Sequence, residues 1–481
     1  MQDALAVILA GGMGSRLSPL TDDRAKPAVP FGGKYRIIDF TLTNCLHSGL
    51  RKILVLTQYK SHSLQKHLRD GWSIFNPELG EYITAVPPQM RKGGAWYEGT
   101  ADAIYHNMWL LSRNDAKYVV VLSGDHIYRM DYAAMLEEHK ENGAKLTVAC
   151  MDVPVEDATA FGVMGIKENG LVESFIEKPE NPPTLPDDPT QSLASMGIYI
   201  FDMDVLQEAL EEDAKREDSS HDFGKDIIPK LIDTQSVYAY KFCGSKGRVD
   251  KDCYWRDVGT IDSFYEANMD LLEPVPPMNL YQPNWAVRTY EAQFPPARTV
   301  SSATGNEGIF INSIIANGVI NSGGSVQHSV IASNVRIQDS ATVVDSIIFD
   351  DVEVGEGSQL VSCIIDKHVR IPPARTVSSA TGNEGIFINS IIANGVINSG
   401  GSVQHSVIAS NVRIQDSATV VDSIIFDDVE VGEGSQLVSC IIDKHVRIPP
   451  HTQIGINKIE DAKRFHVSEK GIVVIPEGYE F

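Results

Sequence analysis

Three glycines near the amino terminus form the first segment with recognisable chemistry. Gly11, Gly12 and Gly14 follow an apolar run, and Arg16 comes directly after them. A glycine turn after a strand lets backbone N–H groups approach a phosphate. The turn is not a P-loop, because Gly-Lys-Ser/Thr is missing, and Leu17 stands where a dinucleotide fingerprint needs its third glycine. A structural tight turn is the alternative interpretation.

A cluster of basic residues follows this turn. Arg24, Lys26 and Lys34 lie within the segment RAKPAVPFGGK. Several cations beside a glycine turn suit a polyphosphate, here a departing pyrophosphate. A solvated charged face is the alternative.

Two carboxylates complete the candidate chemistry. Asp125 follows the apolar run that ends at Ser123, and Asp257 lies in the segment YWRDVG. Ligands bind at the carboxyl ends of strands in open α/β sheets, and two carboxylates together with phosphates suit Mg²⁺. Each Asp alone is also compatible with a helix cap or a turn, and we interpret His126 as structural.

The composition limits the function classes. The 481 residues include 41 basic and 64 acidic ones, a net charge of −23, which argues against binding to nucleic acid or an anionic membrane. Six cysteines without a CxxC pair indicate neither a disulfide framework nor a zinc ribbon. No segment resembles a signal peptide or a membrane span, so we expect a cytoplasmic protein.

The chain divides into regions of different periodicity. Residues 1–273 alternate apolar runs with helix-like stretches, which predicts an α/β domain with a mostly parallel sheet. Residues 274–296 contain six prolines and are expected to form a surface linker. Residues 451–481 form a tail of mixed character.

Residues 297–373 are repeated without one difference as residues 374–450. Such identity is typical of a recent or engineered duplication, or of a sequence assembly error. Within each copy, apolar residues return in the same register every 17 residues, from Ile309 through Ile314 and Ile320 to Ile371. This period predicts a three-sided parallel β-helix rather than the alternative, a β-sandwich.

The copied unit is not a whole number of 17-residue coils. The segment Arg375–Gly385 is therefore expected to absorb the slip as a loop. We predict two short β-helix blocks, copy 1 (297–373) and copy 2 (374–450), rather than one seamless rod.

Nine segments together resemble the glucose-1-phosphate adenylyltransferases (ADP-glucose pyrophosphorylases) of bacterial glycogen synthesis. They are GGMGSRL, RAKPAVPFGGKYRIIDF, TQYKSHSL, WYEGTADA, GDHIYRMDY, FIEKP, SMGIY, SSHDFGKD and YWRDVGT. The resemblance implies a Rossmann-like nucleotidyltransferase domain followed by a left-handed parallel β-helix. It also implies a reaction in which ATP and glucose 1-phosphate give ADP-glucose and pyrophosphate.

The resemblance also implies roles for particular residues. Asp125 and Asp257 would hold Mg²⁺, while Arg16 and Lys26 would stabilise the departing pyrophosphate. Lys178 would grip the sugar phosphate. The remaining substrate-binding positions would be Gly11, Gly12, Gly14, Gln58, Tyr97, Gly99, Thr100 and Asp102 for the nucleotide, and Gly162, Glu177, Ser195, Asp222 and Trp255 for the sugar.

Members of this family are usually homotetramers with a sugar-phosphate activator and a nucleotide inhibitor. The matching effector positions are Arg24, Arg36, Lys463 and Arg464. Some members activated by fructose bisphosphate have a lysine where this chain has Asp23, which leaves the activator open. Because the extra coils displace the tail, we expect catalysis to persist with weakened activation.

Three other functions compete with this hypothesis. One is a sugar-1-phosphate nucleotidyltransferase that uses another nucleotide, and another is a catalytically silent regulatory subunit. A third is an acyltransferase, because many hexapeptide β-helices bind acetyl-CoA and use a catalytic histidine. His328 and His368, with their copies His405 and His445, would be its only candidates in the repeat.

Overall fold

The computed structural model describes residues 1–89, 96–185, 188–244, 246–249, 252–371, 386–393, 395–468 and 470–481. Among these residues, thirteen strands belong to the first domain: β1 (Ala4–Ala10), β2 (Pro30–Phe31), β3 (Tyr35–Arg36), β4 (Lys52–Thr57), β5 (Tyr82–Val86), β6 (Tyr118–Ser123), β7 (His126–Tyr128), β8 (Leu146–Pro154), β9 (Gly162–Ile166), β10 (Val172–Glu177), β11 (Gln191–Asp202), β12 (Val237–Lys241) and β13 (Trp255–Asp257). Its helices are α1 (Ile37–His47), α2 (His62–Trp72), α3 (Thr100–Tyr105), α4 (Met108–Leu111), α5 (Tyr132–Glu141), α6 (Val155–Ala158), α7 (Met203–Asp213), α8 (Ile228–Thr234) and α9 (Ile261–Met269).

The main sheet of this domain has a parallel centre. Its order is β10-β9-β11-β6-β1-β4-β5; β8 also pairs with β11, and β12 pairs with β8. Strands β6, β1, β4 and β5 are parallel, whereas β11 is antiparallel to β6 and β8. Strand β1 is almost wholly buried because helices cover both faces of the sheet, which explains its continuous apolar sequence. The predicted α/β domain is confirmed, and its second half is mixed: β8, β9, β10 and β11 pair antiparallel, whereas β12 runs parallel to β8.

The proline-rich segment packs along the first domain. The indole Nε1 of Trp285 donates to the side-chain oxygen of Asn44 at 2.9 Å, and Thr289 donates to Asp39 at 2.7 Å. Behind it, Tyr290 lies so close to Gly71 that a Cβ there would be 2.8 Å from the tyrosine Cβ. These contacts hold the segment against α1 and α2, so the predicted linker packs in a fixed position on the first domain.

The second region is a solenoid of short strands. They are β14 (Arg298–Val300), β15 (Ile309–Ile311), β16 (Ile314–Ile315), β17 (Ile320–Ser322), β18 (Ser325–Gln327), β19 (Val330–Ile331), β20 (Arg336–Ile337), β21 (Thr342–Val344), β22 (Ile347–Ile348), β23 (Glu353–Val354), β24 (Gln359–Val361), β25 (Ile364–Ile365), β26 (Arg370–Ile371), β27 (Ile386–Ile388), β28 (Ile391–Ile392), β29 (Ile397–Asn398), β30 (Ser402–Gln404), β31 (Val407–Ile408), β32 (Arg413–Ile414), β33 (Thr419–Val421), β34 (Ile424–Ile425), β35 (Glu430–Val431), β36 (Gln436–Val438), β37 (Cys440–Ile442), β38 (Arg447–Ile448), β39 (Gln453–Ile454), β40 (His466–Val467) and β41 (Val473–Ile475), with helix α10 (Lys458–Asp461) in the tail.

These strands stack into three sheets, one for each side of a β-helix. Successive strands within a sheet are parallel, apart from the final antiparallel pair β40–β41. Their inward side chains form one apolar core that includes Val343, Ile348 and Val354. The three-sided parallel β-helix predicted from the 17-residue register is therefore confirmed.

The prediction of two separate blocks is wrong. Each of the three sheets continues from copy 1 into copy 2 through the pairs Gln359–Ile386, Ile364–Ile391 and Arg370–Ile397. The segment Arg375–Gly385, where we placed the slip, lies outside the described residues. The open edge of each sheet can pair with any following strand whose apolar side chains face the core. The strands of copy 2 therefore continue the stack.

The predicted register is wrong by one residue in the first coil. Ile309 is 45% exposed, and Phe310 packs on the core instead. Ile315 and Asn321 likewise take the inward places that we assigned to Ile314 and Ile320. The side chain of Asn321 hydrogen-bonds Gly324 through both of its polar atoms, which closes a corner one residue shorter than those after Ile337 and Val354. The duplicate Asn398 closes the same short corner on Gly401 in copy 2.

One cysteine pair is bonded in the structure. Cys243 and Cys253 form a disulfide with their Cα atoms 5.1 Å apart. Cys45, Cys150, Cys363 and Cys440 are free and buried. A single bridge is not a disulfide framework. Among the described residues, no helix has both the length and the apolar character needed to cross a membrane.

Candidate active site

A cleft of about 650 Å³ opens at the carboxyl ends of β1, β4 and β6. Eleven of the predicted site residues line it: Gly11, Gly12, Gly14, Arg16, Lys26, Gln58, Tyr97, Gly99, Thr100, Asp125 and Asp222. The position agrees with the rule that open α/β sheets bind ligands beyond their strand ends.

The glycine turn forms one wall of this cleft. Gly14 has φ 66°, a left-handed conformation that other residues rarely adopt, and it precedes a short 3-10 helix that contains Arg16. A Cβ on Gly11 would lie 3.1 Å from the Cβ of Gln58. The glycines therefore let the backbone pass close to the cleft without side chains filling it.

Lys26 joins the two predicted carboxylates at the bottom of the cleft. Its Nζ donates to Asp125 Oδ2 and to Asp257 Oδ1, each at 2.9 Å, and its side chain is 9% exposed. Ser123 donates a further short hydrogen bond to Asp125. Residues from three distant parts of the sequence thus form one charged cluster.

Burial and charge act in opposite directions on this cluster. Burial alone would raise the pKa of Asp125, but the charge of Lys26, aided by His126, holds the pKa well below its usual range. Burial would lower the pKa of Lys26, yet the two carboxylates raise it. Lys26 and Asp125 therefore stay charged at neutral pH.

Asp125, His126 and Asp257 are grouped closely enough to hold a metal ion. One ligand atom from each lies within 4.8 Å of the others. Strand pairing explains this, because Asp257 of β13 lies opposite His126 of β7. The buried Nδ1 of His126 has no hydrogen-bond partner among the described residues. Two carboxylates and an imidazole fit a divalent cation.

The loop before α3 and the turn before α8 form the opposite wall. Thr100 donates to Asp222 at 3.0 Å, and Phe223 N donates to the Thr100 hydroxyl at 3.1 Å. A Cβ on Gly99 would lie 2.2 Å from the carbonyl oxygen of His221, so only glycine fits there. Asp102 instead faces its own helix and accepts from Glu98 N at 3.0 Å.

The predicted sugar-binding residues form two groups beside the cleft. In the first, the Glu177 carboxylate lies against Gly162, where a Cβ would be 2.8 Å from it, and Lys178 Nζ is 3.8 Å from Glu177. Burial, and then the charge of Asp222, raises the pKa of Glu177. Asp222 therefore links this group to the cleft.

The second group surrounds His126. The Trp255 ring lies 4.9 Å from the His126 ring, and its buried Nε1 has no partner among the described residues. Ser195 is buried and accepts from Gly197 N at 3.3 Å, and a Cβ on Gly197 would be 3.8 Å from the His126 ring. Trp255 thus lies beside the carboxylate cluster, and Ser195 is linked to it through Gly197.

The four predicted effector residues are not brought together. Arg24 makes two hydrogen bonds of 2.9 Å to Asp366 of copy 1. Arg36 is half-buried; desolvation lowers its pKa, and it faces Asp350. The tail pair Lys463 and Arg464 lies beyond β39, where Arg464 packs on Phe465 and Phe481. Five strand spacings separate β25 from the tail strand β41, roughly 24 Å at about 4.8 Å each.

Sequence reasoning missed several neighbours of the site. His126 was interpreted as structural, although it lies with Asp125 and Asp257 in a group that could hold a metal ion. Tyr59 also lines the cleft, with its ring 5.0 Å from that of Trp96. The strand pairing that brings His126 to Asp257 cannot be read from either segment alone.

Comparison with known proteins agrees with this geometry. A family model described as nucleotidyl transferase matches residues 5–274, and one described as GlmU-like C-terminal hexapeptide matches residues 295–373 and 372–475. A protein named glucose-1-phosphate adenylyltransferase 2 from Vibrio parahaemolyticus is 78% identical over 481 residues, 100% of both chains. Its namesakes from Vibrio cholerae and Vibrio vulnificus are 66% and 69% identical over 100% of this chain, and over 99% and 100% of their own. The chain therefore belongs to the glucose-1-phosphate adenylyltransferase family of nucleotidyltransferases.

Proposed function

We propose that this chain transfers the adenylyl group of ATP to α-D-glucose 1-phosphate, giving ADP-glucose and pyrophosphate in glycogen synthesis. The observation that carries the proposal is the Lys26 ammonium between Asp125 and Asp257 under the glycine turn. A silent regulatory subunit has no need of this intact charged cluster. The family relationship favours ATP and glucose 1-phosphate over other nucleotides and sugars.

The chemistry follows from positioning and charge. The phosphate of glucose 1-phosphate is already ionised, so no general base is needed to activate the nucleophile. Its oxygen attacks the α-phosphorus of ATP, and the bond from that phosphorus to the departing pyrophosphate oxygen breaks. Arg16 and Lys26 stabilise the charge that develops on the pyrophosphate.

The two ends of the cleft bind different substrates in this proposal. The glycine turn, Gln58, Tyr97 and the Gly99–Thr100 loop bind the nucleotide. Lys178 binds the phosphate of the sugar, while Glu177 and Asp222 accept hydrogen bonds from its hydroxyls. Gly162, Ser195 and Trp255 shape the remainder of the sugar pocket, and Asp102 holds the first turn of α3.

Mg²⁺ is the cofactor that we propose. Asp125 and Asp257 would hold it, and the adjacent His126 would hydrogen-bond its water shell. When bound, the ion neutralises phosphate charge and orients the triphosphate. Lys26, which donates to both carboxylates, would then help to neutralise the charge of phosphates bound beside them.

The test measures pyrophosphate release from ATP and glucose 1-phosphate with Mg²⁺, beside UTP, dTTP and GTP as alternative nucleotides. We expect ATP to be preferred, and Asp125→Ala to reduce kcat by at least roughly 100-fold, because the charge-bearing centre loses a ligand. Preference for another nucleotide, or near-normal turnover in the variant, would refute the proposal.

Regulation and assembly are proposed from the family relationship alone. We propose a homotetramer with a sugar-phosphate activator and a nucleotide inhibitor. Arg24 and Arg36 would contact the effector. Lys463 and Arg464 would join them only in a form of the chain whose tail lies close to the first domain. The distance of the tail from the first domain leads us to expect weak activation in this chain.

A further inference from the structure

His221 occupies the position that joins the two halves of the wall opposite the glycine turn. It directly precedes Asp222 and has φ 52°, a left-handed conformation that costs a non-glycine residue free energy. Its carbonyl oxygen accepts from Ala101 N at 2.9 Å, at the start of α3. The backbone of this one residue therefore fixes both the Gly99–Thr100 loop and Asp222.

The side chain of His221 is fastened to a buried acid. Its Nδ1 lies 2.7 Å from Oδ2 of Asp213, which is 2% exposed at the end of α7. The Ser219 hydroxyl donates to the other oxygen of Asp213 at 2.8 Å and accepts from the His221 backbone N–H at 3.0 Å. The turn is thus held by its side chain as well as by its backbone.

Charged groups surround this pair on every element that packs against it. Glu98 lies 4.0 Å from His221 Nε2 in the loop before α3, and Asp102 lies in α3 itself. Arg216 and Lys230 lie 3.8 Å and 3.7 Å from Asp213. The hydrogen bond with Asp213 is the largest influence on the pKa of His221 and raises it, with Asp102 and Glu98 adding to the effect.

We propose that His221 is a positioning residue for substrate binding, and that its imidazole, hydrogen-bonded to Asp213, holds Thr100 and Asp222 in place on the wall of the cleft. This inference rests on the proposed function. His221 does not line the cleft, so it acts through its neighbours. Lys26, Asp125 and Asp257 lie elsewhere and are not expected to change with it.

The test substitutes His221→Asn in the full chain. Asparagine tolerates the left-handed backbone but is uncharged and too short to reach Asp213. We expect the KM for ATP and for glucose 1-phosphate to rise roughly ten-fold, the effect of losing one charge-assisted hydrogen bond, while kcat stays within about three-fold. KM values within two-fold of the wild type would overturn the proposal.

The pH profile separates positioning by charge from a merely structural role. Because the folded-state pKa of His221 is raised, the clamp is present at low pH and is lost as the pH rises through that pKa. The wild-type KM should climb with pH towards that of the variant, whose KM should lack this rise. Identical profiles in both proteins would overturn the proposal.

Two further proteins keep the result interpretable. Asp213→Asn removes the partner's charge with little change in shape, and it should raise KM in the same direction, which covers the case that His221→Asn does not fold. His139→Gln is the matched control, because His139 pairs with Asp202 at 3.2 Å away from the cleft, and its KM values should not change. Direct titration of each protein with ATP and Mg²⁺ distinguishes the positioning role from the proposed reaction. Weaker ATP binding by His221→Asn than by the wild type supports the positioning role even if no protein releases pyrophosphate.

Discussion

The two copies of the repeat have one sequence and two environments. In copy 1, Ile347 and Phe349 are 1% and 2% exposed, whereas their duplicates Ile424 and Phe426 are each 38% exposed. The difference comes from the first domain, which covers this side of copy 1 through α9. There the ring of Phe264 lies 6.3 Å from that of Phe349.

The charged residues on this side differ in the same way. Asp366 is buried against Arg24, but its duplicate Asp443 accepts only from the neighbouring Lys444 N–H among the described contacts. Burial, and then Arg36 and Arg24, lowers the pKa of Lys367 to about 8. Its duplicate Lys444 has a raised pKa because it pairs with Asp427. Identical residues therefore differ in energetics according to what packs on them, and copy 1 carries the buried part of the interdomain contact.

The largest expected difference between the copies concerns the buried ion pair. Asp366→Asn leaves Arg24, which is 6% exposed, without a counter-charge. We expect the free energy of unfolding to fall by about 3–5 kcal/mol. Asp443→Asn is the matched change in copy 2 and should cost no more than about 0.5 kcal/mol. Urea denaturation measures both, and equal losses would show that copy 1 does not carry the docking contact.

Truncating the paired phenylalanines should give the next largest difference. Phe349→Ala empties a packed site between the domains, with an expected loss of at least about 3 kcal/mol. Phe426→Ala removes a ring that is already 38% exposed, and about 1 kcal/mol is expected. The same denaturation assay applies. A larger loss in copy 2 would contradict the assignment of copy 1 as the covered copy.

The smallest expected difference is one of pH dependence. Because the folded-state pKa of Lys367 lies below that of the unfolded chain, the unfolded chain binds more protons between the two values. Stability should therefore rise from about pH 8 towards pH 10, by of order 1 kcal/mol. Lys367→Gln should remove this rise, and Lys444→Gln should keep it. Thermal melting across this range decides the matter, and an unchanged slope in Lys367→Gln would refute the effect.

Local signals predicted the site better than the overall assembly. The glycine turn, the basic cluster and the acid after β6 were recognisable because each depends on residues adjacent in the chain. The pairing of β13 with β7, which brings Asp257 to His126, joins segments far apart and could not be read from either of them. The hydrogen bond from Ala101 N to the His221 carbonyl oxygen joins two backbone groups, so no pattern of side chains predicts it.

The β-helix shows the same limit from the other direction. Its 17-residue period can be read along the chain and predicted the fold. The one-residue offset at Asn321 depends instead on the hydrogen bond that its side chain makes to Gly324. The continuity of the sheets across the duplication depends on pairing between coils, which overrides the mismatch between 77 residues and the coil length. The displacement of Lys463 and Arg464 from Arg24 was predicted, because adding coils lengthens the rod in one direction only.

The most direct test of the account is pyrophosphate release from ATP and glucose 1-phosphate by the full chain and by a chain lacking residues 374–450. The tail can cap copy 1 as it caps copy 2, because Cys440 and Ile442, which pair with β41, have the duplicates Cys363 and Ile365. We predict the same kcat/KM within about two-fold in both chains, with stronger activation by fructose 1,6-bisphosphate in the shorter one. Loss of turnover on deletion would contradict docking on copy 1, and silence of both chains would contradict the proposed reaction.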